Sequence, residues 1–183
     1  MHPSNTAERR FAAYVPAATD SGCALAVPAA PAAKVILGVA ASDAHVVANH
    51  LIALQLRFLG YTVLNLGPCT PVSDFLDCAE RNPDAIAIVI GSVNGHAVED
   101  LRPLRAARDA GLVPWPVIVG GNLSVGSTKT GQEADHLYAL GVDRVLTSIE
   151  ELFEVLGEYR TAAALDFEPD DLDDDCEQLE TVA

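Results

Sequence analysis

Residues 41–50 read ASDAHVVANH, placing an aspartate, Asp43, and a histidine, His45, two residues apart directly after an apolar run. Two chemistries fit this spacing. Asp43 can cap a helix that starts near Ala44, leaving His45 as a solvated first-turn residue. Alternatively, His45 ligates a metal through one ring nitrogen while Asp43 holds the other, fixing the tautomer and raising the ligand's basicity. One histidine cannot make a protein-only metal site, because zinc wants three or four ligands. His50 falls on a different helical face, and His96 and His136 have no ligand-like spacing. A single protein ligand makes sense where the metal arrives inside a macrocycle that supplies the rest, which points to haem iron or corrinoid cobalt.

Two glycine clusters bear on the same question. In VGGNLSVG, Gly120 and Gly121 directly follow an apolar run, where any side chain would stand in a crevice; glycine there lets a bulky group approach the backbone. An ordinary turn is the plain alternative. In IGSVNGH, Gly91, Ser92 and Gly95 follow another apolar run. Neither cluster is a GxGxxG fingerprint and the chain has no P-loop, which disfavours a nucleoside phosphate.

The elements that must position these residues follow from periodicity. Strands are expected at 34–41, 62–67, 84–91, 116–121 and 143–147, each a short β-branched or apolar run. Between them, helical spacing predicts helices over 46–60, 70–81, 97–111 and 131–141, with a last helix at 148–159. Thr70 is the expected N-cap of the second helix, with Pro71 in its first turn. Pro103 marks a kink or a later start in the third. Ser148 and Glu151 have capping-box spacing at the head of the last. Strict alternation without hairpins predicts an α/β fold with a doubly wound parallel sheet covered on both faces. For five strands the flavodoxin-like order is 2-1-3-4-5, and ligands then sit beyond the strand carboxyl ends, where the chain reverses. The loops that meet there are 41–46, 91–96 and 120–126.

Composition adds exclusions. The 183 residues are half apolar and carry a net charge of −15. The acidity is concentrated: residues 161–183 hold nine acidic and no basic side chains, so this end reads as a solvated tail. Residues 1–33 are rich in Ala and Pro and read as a flexible extension, leaving 34–160 as the folded domain. No basic cluster favours nucleic acid, and no apolar run is long enough to span a membrane. The N-terminus lacks a secretory pattern, and Cys23, Cys69, Cys78 and Cys176 show no metal spacing, so the expected location is cytoplasmic.

SDAHVVAN, GSVNG and VGGNLSVG, followed by DRV, together resemble the cobalamin-binding small subunit of glutamate mutase (methylaspartate mutase), over residues 34–156. The family pattern is Asp-x-His-x-x-Gly, then Ser-x-Leu, then Gly-Gly. The resemblance implies that His45 is the lower axial ligand to cobalt, Asp43 its partner, and Gly120 and Gly121 the lining of a slot for the cofactor's nucleotide tail. Cofactor contacts carry over to Ser42, Asp43, Ala44, His45, Val46 and Val47, to Gly91, Ser92, Val93 and Gly95, and to Asn122. This sequence departs from the pattern at Ala48, where the family has glycine, and at Gly91, where it has serine.

The implied activity is that of an isomerase: an adenosylcobalamin-dependent radical interconversion of glutamate and 3-methylaspartate. No arginine cluster is placed to hold glutamate's two carboxylates, since Arg102, Arg105 and Arg108 read as the solvated face of the third helix. The expected partner is therefore a large catalytic subunit, a (β/α)₈ barrel closing over the corrin. The rival readings are a corrinoid carrier for a methyltransferase and a non-catalytic cobalamin-binding module.

Overall fold

The computed structural model describes residues 32–123 and 132–165. Its elements alternate along the chain: β1 (Lys34–Ala40), α1 (Val46–Phe58), β2 (Thr62–Thr70), α2 (Val72–Glu80), β3 (Ala85–Gly91), α3 (Ala97–Asp100), α4 (Arg102–Asp109), β4 (Val117–Gly120), α5 (Gln132–Ala139), β5 (Arg144–Leu146) and α6 (Ile149–Leu165). The five strands form one all-parallel sheet in the order β2-β1-β3-β4-β5, as alternation predicts. Among the described residues no helix is long and apolar enough to cross a membrane.

Side chains alternate across each strand, so the sheet has two different faces. Val35 and Leu37 of β1 join Ala87 and Val89 of β3 and Ile118 of β4 under α1 and α6, where Ala53, Leu56, Leu152 and Leu156 cover them. Ile36, Ile88, Ile90, Val117 and Val119 face the other way, under Phe75 of α2, Leu101 and Leu104 around α4, and Leu137 of α5. Gly38 is glycine because of that second layer: a Cβ there would lie 2.7 Å from the Phe75 ring.

Several boundaries differ from the sequence reading. β2 continues to Thr70, which is not a helix cap; its hydroxyl donates to the Gly67 carbonyl at 3.1 Å, and Pro71 precedes α2 instead. The strand can run on because Gly67 (φ 86°) and Cys69 (φ 55°) adopt left-handed backbone that shifts the pairing register with β1. The third helix is two, broken at Leu101, with Pro103 in the first turn of α4, where its missing N–H costs nothing. Arg108 is not on a solvated face: it donates to the Gly141 and Val113 carbonyls and pairs with Asp143, tying α4 to the start of β5. At α6, the Glu151 N–H meets the Ser148 hydroxyl at 3.3 Å, and the Glu151 carboxylate reaches back chiefly to the Thr147 N–H and hydroxyl, at 2.7 Å and 2.9 Å. This helix also runs to Leu165, because TAAAL at 161–165 consists of residues compatible with helix. Most of the two expected tails, residues 1–31 and 166–183, lies outside the described residues, as does the segment 124–131.

Among the described residues one face of α1 stays uncovered. Val47, Leu51, Leu54 and Phe58 recur at helical spacing and are 57–90% exposed.

Candidate functional site

The β1–α1 turn is pinned from within. The Asp43 N–H donates to the Ala40 carbonyl at 2.9 Å, while the Asp43 carbonyl accepts from Cys69 at 3.0 Å. This geometry drives the Asp43 side chain under the neighbouring loop, where it is 1% exposed. Its Oδ2 accepts the Val93 N–H at 2.6 Å and the Asn94 N–H at 3.3 Å; its Oδ1 accepts the His45 N–H at 3.0 Å. Burial pushes the Asp43 carboxyl up, but the Val93 and His45 hydrogen bonds outweigh it and hold the group below the ordinary aspartate value. One ionised carboxylate thus clamps two loops together.

The remaining contact sets the chemistry. His45 Nδ1 lies 2.6 Å from Asp43 Oδ1. An ionised carboxylate can only accept, so Nδ1 carries the proton; in the neutral imidazole Nε2 then presents a free lone pair. The His45 side chain is 62% exposed, so that lone pair is accessible at the carboxyl edge of the sheet. Asp43 is not the N-cap of α1; His45 holds that position without a side-chain cap, and α1 begins at Val46. Among the described residues no group of three His, Cys, Asp or Glu side chains could hold a metal ion. The donor set offers one imidazole, oriented by a buried carboxylate.

Beside His45 the sheet opens. Val39, Gly91, Gly120 and Leu146 are paired in one transverse row across β1, β3, β4 and β5. The central pair has no side chains, and a cleft of ≈ 270 Å³ lies above them between α1 and α6. Ile52 of α1 and Leu152 of α6 help form its apolar walls, while Asp43 and His45 stand at its rim. A Cβ on Gly91 or Gly120 would meet only ordinary contacts, at 3.7 Å and 3.5 Å, so packing of the free chain does not require glycine at either position. Gly121 differs: at φ 126° its Cβ would lie 2.1 Å from the Ser92 carbonyl oxygen. It lets the β4 loop pass directly over the β3 loop, where Ser92 N–H also donates to the Gly120 carbonyl at 3.0 Å.

The structure brings Asp43, His45, Gly91, Ser92, Val93, Gly120 and Gly121 to the cleft. Ser42 stands outside it, bonded through its hydroxyl to Asp100 at 2.8 Å and through its carbonyl to Asn94 at 3.0 Å. Ala44, Val46, Val47, Gly95 and Asn122 also lie outside the cleft lining. Sequence reasoning missed Asn49 and the β5–α6 turn at Thr147 and Ser148, which line the cleft as well. The signal for Asn49 was present: it is the one amide in the buried stripe Asn49, Ala53, Leu56 of α1.

No protein-family model matches the chain. Individual relatives do. The chain is 37% identical over 125 residues to glutamate mutase sigma subunit 2 of Haloarcula marismortui, covering 67% of this chain and 84% of the relative. It is 35% identical over 132 residues to the glutamate mutase sigma subunit of Halobacterium salinarum, covering 72% and 88%. Over 132 residues it is 33% identical to the sigma subunit of Clostridium tetanomorphum, covering 67% and 95%. Among solved structures it shares its fold with a cobalamin-binding protein from Desulfitobacterium hafniense, at a TM-score of 0.57 and 20% identity over 70% of this chain and 59% of that one. By these relationships the chain belongs to the family of glutamate mutase sigma subunits.

Proposed function

We propose that this chain is the cobalamin-binding subunit of a glutamate mutase, acting with a separate catalytic subunit. The observation that carries the reading is the 2.6 Å contact between Asp43 and His45, which leaves a single exposed imidazole nitrogen as a ligand. One oriented donor fits a metal whose other ligands come with it. The paired glycines Gly91 and Gly120 leave room beside that donor which none of the described residues fills. These features fit cobalamin: His45 would hold its cobalt, and the apolar walls between α1 and α6 would take its nucleotide tail.

Bound there, adenosylcobalamin supplies the radical chemistry of carbon-skeleton rearrangement between glutamate and 3-methylaspartate. This chain's part is binding and tuning. Asp43 holds the His45 ring in one tautomer and orientation and raises its basicity as a ligand. Its two bonds to the 93–94 backbone keep the rim of the cleft in one geometry. No arginine of the described residues faces the cleft, so substrate carboxylates must be held elsewhere.

A reactive centre at this edge of the sheet needs shielding from water. The described residues provide no lid over His45. We therefore assign that role to the catalytic partner, as a (β/α)₈ barrel whose mouth closes on the loops of His45 and Ser92. The chain supplied alone with adenosylcobalamin and glutamate is expected to give no 3-methylaspartate, and adding a glutamate mutase catalytic subunit should restore turnover. Product formation by the isolated chain would contradict the two-subunit reading.

A further inference from the structure

Asn49 sits one helical turn beyond His45 and is 3% exposed, inside the cleft lining. Its Nδ2 donates to Asn65 Oδ1 at 2.7 Å, and that same oxygen accepts the Gly67 N–H at 2.9 Å. Since Asn65 Oδ1 is already fixed as an acceptor by the backbone, Asn49 must present its NH₂ group there. Its carbonyl oxygen is then left over. Asn49 Oδ1 is the single buried side-chain polar atom without a hydrogen-bond partner among the described residues. A fold normally satisfies such an atom, because leaving it unpaired in the interior is costly. No donor of the described residues reaches it, the hydroxyls of Ser92, Thr147 and Ser148 elsewhere in the cleft lining included.

We infer that Asn49 Oδ1 accepts a hydrogen bond from a ribose hydroxyl of the cofactor's nucleotide tail; the inference rests on the cobalamin reading given above. The chemistry selects the group. The unprotonated nitrogen of dimethylbenzimidazole and the phosphate oxygens of the tail are acceptors and cannot satisfy a carbonyl. Within the nucleotide the ribose hydroxyls are the donors; the amide N–H of the linker to the corrin is kept in cobinamide, so the two probes below separate these sources. Asn49 is thus a specificity residue: it distinguishes a corrinoid that carries its nucleotide from one that lacks it, and Asn65 holds it in place.

The test compares two probes on the full chain: hydroxocobalamin, and aquocobinamide, which has the corrin but no nucleotide tail. Asn49→Leu keeps the side-chain volume and removes the oxygen; Asn49→Ala serves as the second variant, and thermal melts verify that each is folded. Cobalamin affinity should fall about tenfold in the variants, the typical worth of one buried hydrogen bond. Cobinamide affinity should stay within about twofold, since the bond it lacks cannot be lost. Unchanged cobalamin affinity would overturn the inference. So would an equal loss for both probes, which would make Asn49 a structural residue only. Failure of the unaltered chain to bind either probe would instead overturn the cofactor reading itself.

Discussion

The two faces of the sheet use glycine for opposite purposes. On the α2 side, Gly38 is small because Phe75 fills the space above it, 1% exposed at the centre of the core. On the α1 and α6 side, Gly91 and Gly120 are small although nothing among the described residues fills the space. The first face is finished by its own side chains, while the second leaves a gap and a carbonyl without a partner. The difference teaches where selection for stability stops.

The contrast can be broken first on the packed face. Gly38→Ala drives a methyl group into the Phe75 ring, and overpacking of this kind costs about 1–3 kcal/mol. Chemical denaturation should show that loss, with the cobalamin affinity of the folded fraction unchanged. An affinity loss matching the stability loss would mean that the two faces are mechanically coupled.

A smaller effect is expected on the open face, and it should appear in a different observable. The double variant Gly91→Ala, Gly120→Ala adds two methyl groups at ordinary contact distances. Its denaturation midpoint should match or exceed the unaltered one, because replacing strand glycine by alanine reduces the conformational freedom of the unfolded chain. Cobalamin titration should nevertheless show weaker binding, by about tenfold if the two methyls together displace contacts worth about 1.4 kcal/mol. Undiminished affinity would show that the glycine row is not part of the binding surface.

Much of this arrangement was legible in the sequence, for a physical reason. Parallel strands buried on both faces are continuous apolar runs, and helices at 3.6-residue spacing separate them clearly. Strand order then places the loops after β1, β3 and β4 at one edge, which is how Asp43, Ser92 and Gly121 could be grouped without coordinates. What was not legible depends on register. Whether Gly91 and Gly120 lie opposite one another is decided by which residues of β3 and β4 pair, and no local pattern encodes that. Thr70 was misread because a Thr-Pro pair before a helical pattern looks like a cap, whereas the turns at Gly67 and Cys69 carry the strand past it. Asn49 was passed over because one polar residue in an apolar helix reads as a boundary of the stripe. Its orphaned oxygen becomes visible only once Asn65 is brought against it.

The central claim is that His45, oriented by Asp43, ligates cobalt. Its most direct test is electron paramagnetic resonance of the Co(II) cobalamin complex, prepared with protein carrying 15N-labelled histidine. The account predicts that the axial nitrogen splitting changes from the three-line pattern of 14N to the two-line pattern of 15N, and that this protein-derived splitting disappears in His45→Ala. An axial splitting unaffected by the label would place another nitrogen on cobalt and contradict the account.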